Sequence, residues 1–97
     1  MNRIKKIFSK PKEKLIPFLT AGYPNIDSTL ELVLAAVDAG ADMIEIGIPF
    51  SDPQADGPVI QRSSDQALKN GITLKIIFNQ VEQIRNISEV PIALMGY

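Results

Sequence analysis

Apolar side chains recur along this chain with two different periods. Three apolar runs have the length of β-strands and lie at residues 14–20, 42–48 and 90–95. Between these runs, apolar side chains recur every three or four residues, which is typical of amphipathic helices. The helical stripes are formed by Leu30, Val33, Leu34 and Val37 in one segment and by Ile77, Val81 and Ile84 in another. The pattern therefore predicts the order helix, strand, helix, strand, helix, helix, strand.

Residues that favour helix ends support these limits. Asn25 or Asp27 is expected to cap the helix that carries the first stripe, and Thr73 is expected to cap the last helix. Gly40 and Gly71 follow helical segments at positions where a left-handed residue commonly ends a helix. The helices are therefore expected to stop close to these glycines.

The first fourteen residues differ in charge from the rest of the chain. They carry six basic side chains and one acidic side chain, whereas the remaining 83 residues carry four basic and ten acidic side chains. A basic segment can contact phosphate or nucleic acid. Because Phe8 is the only aromatic residue among the basic ones, we favour a solvated helix at residues 2–8, with Ile4, Ile7 and Phe8 on its buried side.

Strands that alternate with helices favour a parallel α/β sheet. Either an open doubly wound sheet or part of a barrel would fit this pattern. An open sheet that binds a dinucleotide is expected to carry the motif Gly-x-Gly-x-x-Gly after its first strand. The turn at residues 20–24 reads Thr-Ala-Gly-Tyr-Pro instead, and no Walker-type phosphate loop is present.

The chain contains neither Cys nor His. A thiolate metal site and a histidine proton shuttle are therefore excluded, and acid–base chemistry would fall to carboxylates, Tyr or Lys. We expect no metal site. Because no segment approaches the roughly 18 apolar residues of a membrane span, we expect a cytoplasmic protein.

Glu45 is the most unusual residue of the second apolar run. Strand alternation places Met43, Glu45 and Gly47 on one face of the strand and the neighbouring isoleucines on the other. A parallel strand is usually buried on both faces, and an ionised carboxylate without a partner is costly to bury. Glu45 is therefore a candidate catalytic residue, although a structural partner such as Arg or Lys, or a different strand register, would also explain it.

The segment at residues 49–57 is longer than the two to six residues that usually connect a strand to a helix. It contains Asp52 and Asp56, each of which could be catalytic or could simply form a turn or a helix cap. Active sites of parallel α/β barrels lie at the carboxyl ends of the strands. Glu45 and one of these aspartates could therefore face the same small ligand.

Four segments of the chain together resemble one protein family. They read PFLTAGYP at 17–24, GADMIEIGIPFSDP at 40–53, ADGPVIQ at 55–61 and LMGY at 94–97. In order and spacing they resemble the tryptophan synthase α subunit. The resemblance implies an α/β fold, the N-terminal part of a (β/α)8 TIM barrel, in which residues 1–97 form a single partial domain with about three parallel strands.

The resemblance also implies a reaction. The family cleaves indole-3-glycerol phosphate to indole and glyceraldehyde 3-phosphate in a retro-aldol reaction of tryptophan biosynthesis, without a cofactor. Glu45 matches the acid–base glutamate of the family, and Asp56 matches the aspartate that stabilises the indole nitrogen as positive charge develops. Apolar positions that line the indole pocket are matched by Phe18, Ile60 and Leu94.

The loop that includes Asp52, Pro53 and Gln54 resembles one that contacts the β subunit, which condenses indole with serine. Gln54 departs from the family, in which we expect an aliphatic residue there. A complete barrel needs about 250 residues, and the phosphate-binding loops of the family lie beyond this sequence. We therefore expect the isolated chain to be inactive and to self-associate or to bind the remainder of a barrel.

Two other interpretations remain open. The segment could be a non-catalytic module that keeps the partner loop and binds a β subunit or the rest of a barrel. It could also come from another phosphate-binding barrel, such as an isomerase of the same pathway, although the run from Ser51 to Pro58 argues against this.

Overall fold

The computed structural model describes residues 3–8, 13–50 and 57–96. Its elements follow the predicted order of helices and strands. The helices are α1 (Arg3–Phe8), α2 (Ser28–Asp38), α3 (Pro58–Lys69) and α4 (Leu74–Ile87). The strands are β1 (Phe18–Thr20), β2 (Ile44–Gly47) and β3 (Ile92–Met95).

The three strands form one parallel sheet in the order β1-β2-β3. The chain leaves β1 and returns in β2 through α2, and it leaves β2 and returns in β3 through α3 and α4. Sequential parallel strands joined by helices are the repeating unit of α/β folds. The prediction of an α/β fold with three parallel strands is therefore confirmed.

One face of the sheet packs against helices, and we call it the helix face. Ile44 and Ile46 of β2 lie on this face and are fully buried. They belong to one apolar cluster with Val33 of α2 and with Ile77 and Ile84 of α4. These three helical residues come from the predicted stripes, and their burial explains why the two helices lie side by side over the sheet.

The helix ends combine local side-chain bonds with tertiary contacts. Thr73 caps α4 as predicted, since its hydroxyl accepts a hydrogen bond from the Ile76 N–H at 3.2 Å. Asp27 stands at the cap position of α2 but makes no capping side-chain bond. Gly22, in the turn after β1, has a φ of +80°, and a Cβ added there would lie 2.8 Å from the Cβ of Ile72. A side chain at this position would therefore be strained and would also clash.

Two predictions about the start of the chain were wrong. The helix α1 has no buried residue, because Ile4 and Phe8 are exposed and Ile7 is only partly covered. The first strand begins at Phe18 rather than near Lys14, since Pro17 lacks an N–H for the ladder. Upstream of Pro17, the Leu15 N–H instead donates to the carboxylate of Asp42 at 2.9 Å.

Candidate functional site

The last residues of the three strands lie side by side in the sheet. Thr20 of β1 pairs in register with Gly47 of β2, which pairs in register with Met95 of β3. Each of the three residues ends its strand. Residues paired in a parallel sheet project to the same face. This row therefore marks the carboxyl end of the face opposite the helix face, and we call that face the site face.

A cavity of about 170 Å³ lies at this carboxyl end. Its walls come from the strand ends, from the segment after β2 and from α3: Phe18, Thr20, Gly47, Ile48, Ile60, Ser64, Met95 and Gly96. Apolar cavities of about 150 Å³ accommodate one benzene ring. The cavity is therefore large enough for a flat aromatic ring, and a few polar atoms border it.

The Phe18 ring can lie in this cavity because Gly47 has no side chain. A Cβ added to Gly47 would be 3.0 Å from Cε2 of the Phe18 ring and closer still to its Cζ. The ring therefore lies directly on the backbone of β2, with no room for even a methyl group. This contact fixes the aromatic wall of the cavity.

The helix α3 supplies the opposite wall through Ile60 and Ser64. It begins with Pro58 in the first helical turn, where the missing N–H costs nothing. The hydroxyl oxygens of Thr20 and Ser63 lie 2.8 Å apart, and both residues are buried. Because Thr20 projects to the site face, this hydrogen bond holds α3 over the carboxyl end of β1.

Glu45 lies one row deeper on the site face. It pairs in register with Phe18 on one side and with Ala93 on the other. Two residues along a strand correspond to about 6–7 Å, so Glu45 lies that far below the row of strand ends. It is partly buried, and its carboxylate has no hydrogen-bond or ion-pair partner among the described residues. A structural partner for Glu45 is therefore not found in that part of the chain.

Leu94 is not among the residues that line this cavity. It pairs in register with Ile46, which belongs to the helix face. A shift of one residue along a strand moves a side chain to the other face. Met95, one position later, projects to the site face and lines the cavity. Phe18 and Ile60 do line this cavity, and their contact with indole stays a prediction.

The other candidate residues lie outside the described residues. These are Asp52, Pro53, Gln54 and Asp56. Their assignment as a partner-contact loop and as a second catalytic carboxylate stays a prediction.

Sequence reasoning missed Thr20, Ser64 and Met95. Strand alternation could have found two of them, because Thr20 follows Phe18 by two positions and Met95 follows Ala93 by two. Ser64 carries no comparable signal, since its place depends on how α3 lies over the sheet.

The described ranges hold no group of three Asp or Glu residues arranged to bind a metal ion. They also contain no helix with the length and apolar character required to span a bilayer.

The parallel strands, their helices and the cavity at the strand ends define an α/β protein with a cavity at the carboxyl end of its sheet. The tryptophan synthase subunit alpha of Legionella pneumophila str. Paris matches this chain with a TM-score of 0.96 and 46% identity, over 100% of this chain and 39% of that one. The tryptophan synthase A-subunit of Pyrococcus furiosus matches with a TM-score of 0.82 and 54% identity, over 87% of this chain and 34% of that one. The fold is therefore that of the N-terminal part of a (β/α)8 barrel.

Sequence comparison identifies the family. A family model described as tryptophan synthase alpha chain matches residues 4–97. The tryptophan synthase alpha chain of Flavobacterium psychrophilum is 48% identical over 97 residues, which are 100% of this chain and 38% of that protein. The tryptophan synthase alpha chain of Nitrosomonas europaea is 50% identical over 102 residues, which cover 100% of this chain and 37% of that protein. The chain belongs to the tryptophan synthase alpha chain family, and it spans well under half the length of these relatives.

Proposed function

We propose that the barrel to which these residues belong cleaves indole-3-glycerol phosphate to indole and glyceraldehyde 3-phosphate in tryptophan biosynthesis. Family membership supports this reaction. The observation that carries it here is Glu45, a partly buried carboxylate without a described partner, one row below an apolar cavity of aromatic size. No cofactor is required in this proposal.

The reaction needs proton transfer at two atoms. The bond between indole C3 and the hydroxyl-bearing carbon of the side chain breaks. C3 gains a proton, and the hydroxyl loses one as its oxygen becomes the aldehyde carbonyl. We assign this proton transfer to Glu45, because a positioned carboxylate can act as both acid and base. Its place beneath the strand ends supports the assignment, since barrel active sites lie there.

The ring of the substrate would lie in the cavity between Phe18 and Ile60. Met95 would form its floor in place of Leu94. We assign to Asp56 the stabilisation of the indole nitrogen as positive charge develops. Two carboxylates in different surroundings can divide such roles.

We propose a tryptophan synthase β subunit as the partner and the cytoplasm as the location. The partner surface would include Asp52, Pro53 and Gln54. Gln54 is expected to alter the fit of this loop, because an amide replaces an aliphatic side chain there. The observed family is the support for both assignments.

The test is indole release from indole-3-glycerol phosphate. It is measured with the chain alone, with the chain plus the C-terminal remainder of the Legionella alpha chain, and with a complemented Glu45→Gln variant. Glu82→Gln is the matched control, because Glu82 is an exposed carboxylate on α4. We expect indole release from the complemented wild type and from the complemented Glu82→Gln variant. We expect none from the chain alone or from the complemented Glu45→Gln variant.

Other outcomes would change the proposal. Release by the chain alone would contradict our expectation that these residues are inactive by themselves. No release by any mixture, with binding of the Legionella remainder demonstrated, would favour the non-catalytic module that only binds a partner. Light scattering at micromolar concentration tests self-association of the chain alone, and a monomer would contradict it.

A further inference from the structure

Ser63 joins two walls of the cavity without lining the cavity itself. Its hydroxyl donates to the carbonyl oxygen of Ile60 at 2.9 Å and lies 2.8 Å from the hydroxyl oxygen of Thr20. Thr20 and Ile60 both line the cavity, one from β1 and the other from α3. Because the Ser63 proton is directed to Ile60, the Thr20 hydroxyl is the donor between the two side chains. Two hydrogen bonds in sequence, which we call the relay, therefore connect Thr20 to Ser63 and Ser63 to the Ile60 carbonyl.

The first half of α3 offers little apolar surface to the sheet. The helix begins with the exposed residues Pro58 and Val59, and Val59 is 74% exposed. Its buried residues, Ser63, Ser64 and Ala67, are all small and offer little apolar surface. Buried hydroxyl groups without partners are costly, whereas paired ones fix a geometry. The hydroxyl pair is therefore a specific contact between the first half of α3 and the sheet.

The other end of α3 has a separate attachment. The side-chain amide of Asn70 donates to the carbonyl oxygens of Gly22 at 2.9 Å and Pro24 at 2.7 Å. Neither Asn70 nor these two residues line the cavity. Of these two side-chain attachments of α3, the one at Ser63 connects cavity walls and the one at Asn70 does not.

We propose that Ser63 is a positioning residue that sets the distance between the Thr20 wall and the Ile60 wall, and thereby the fit of a flat aromatic ring. This inference rests on the proposed function for the identity of the ring, which is indole. Without the Ser63 hydroxyl, Ile60 is free to move away from β1. The cavity then binds the ring with lower affinity, while proton transfer at Glu45 is unchanged once the ring is bound.

The experiment compares losses at the two attachments of α3. The chain, complemented with the Legionella remainder, is made as wild type, Ser63→Ala and Asn70→Ala. Indole affinity is measured by calorimetry, KM and kcat by indole release, and stability by urea unfolding. We expect Ser63→Ala to raise the indole Kd and the KM about tenfold with kcat within about twofold, the pattern of lost ring binding rather than lost chemistry. Asn70→Ala is expected to lose similar stability with the indole Kd unchanged.

A second set of variants isolates the hydroxyl pair. Thr20→Val removes the donor and keeps the side-chain shape, whereas Thr20→Ser keeps the hydroxyl. We expect Thr20→Val to weaken indole binding, Thr20→Ser to restore most of it, and Thr20→Val with Ser63→Ala to be no weaker than either single variant. Additive losses in the double variant would overturn the relay.

Equal effects of Ser63→Ala and Asn70→Ala on the indole Kd would overturn the positioning role, because both would then act only through stability. No change in the Kd of Ser63→Ala would overturn it as well. Failure of the proposed function looks different. In that case the wild-type complex would bind indole but would not produce it from indole-3-glycerol phosphate. The comparison of indole affinities would still decide the role of Ser63.

Discussion

The two faces of the sheet use the same three strands for different purposes. On the helix face, Ile44 and Ile46 are fully buried beneath α2 and α4. On the site face, Phe18 is 39% exposed, Met95 is 49% exposed and Glu45 is a carboxylate without a described partner. Apolar burial stabilises a fold in proportion to the area covered. The helix face therefore carries the stability of this part of the chain, and the site face is free to carry polar chemistry.

The largest expected effect tests the site face. Glu45→Gln should reduce indole release by the complemented barrel by about 10²–10⁴-fold, the usual range for loss of a general acid or base. The change keeps the size of the side chain, so the free energy of unfolding should change little. Indole release and urea unfolding are measured on the same samples. A large loss of stability in this variant would mean that the carboxylate is structural, and the contrast between the faces would fail.

The converse change is made on the helix face. Ile46→Ala should lower the free energy of unfolding by about 2–5 kcal/mol, because a fully buried side chain is lost and a cavity remains. Met95→Ala is the matched control on the site face and should cost clearly less, since Met95 is half exposed. Urea unfolding of the complemented chain measures both. Equal losses would show that the two faces contribute alike.

Gly47→Ala tests the closest packing on the site face. The added methyl group would overlap the Phe18 ring, which must then turn away. Overpacking of this kind costs about 1–3 kcal/mol, and the displaced ring should also weaken indole binding. Calorimetry with indole and urea unfolding measure the two effects. Gly57→Ala is a control, because an added Cβ there meets no described residue within 4 Å. An unchanged indole affinity in Gly47→Ala would show that Phe18 does not contact the bound ring.

The helix face was easier to predict from sequence than the site face. Stripes such as Val33, Ile77 and Ile84 repeat over several turns, and their burial needs only the helical period. The order of elements and the parallel sheet follow from the same pattern. Strand limits were less certain, because three or four paired residues give a weak signal.

The site face depends on register, which the sequence specifies less directly. Glu45 stood out because a charge interrupts an apolar run. Leu94 and Met95 are both apolar, so composition could not distinguish them, and only the pairing with Ile46 and Gly47 shows which one faces the cavity. The pairing of Thr20 with Ser63 joins residues 43 positions apart and has no local signature at all.

The smallest expected effect lies outside both faces. Helix α1 is tied to the rest of the chain by an ion pair in which Nη2 of Arg3 lies 2.7 Å from Oε2 of Glu89. The two side chains are 47% and 81% exposed, and exposed pairs contribute at most about 1 kcal/mol. Burial and the nearby charge of Arg3 hold the pKa of Arg85 below its ordinary value, and Glu89 opposes this shift. Glu89 therefore also offsets the repulsion between the two arginines.

We accordingly expect Glu89→Gln to lower the free energy of unfolding by less than about 1 kcal/mol. The difference from wild type should shrink further in 0.5 M NaCl, where the Debye length falls to about 4 Å. Urea unfolding at low and high salt measures it, with Glu82→Gln as an exposed carboxylate of α4 for comparison. A loss as large as that of Ile46→Ala would mean that α1 is an integral part of the packed structure. A small, salt-sensitive loss would confine the stability of this part of the chain to the helix face.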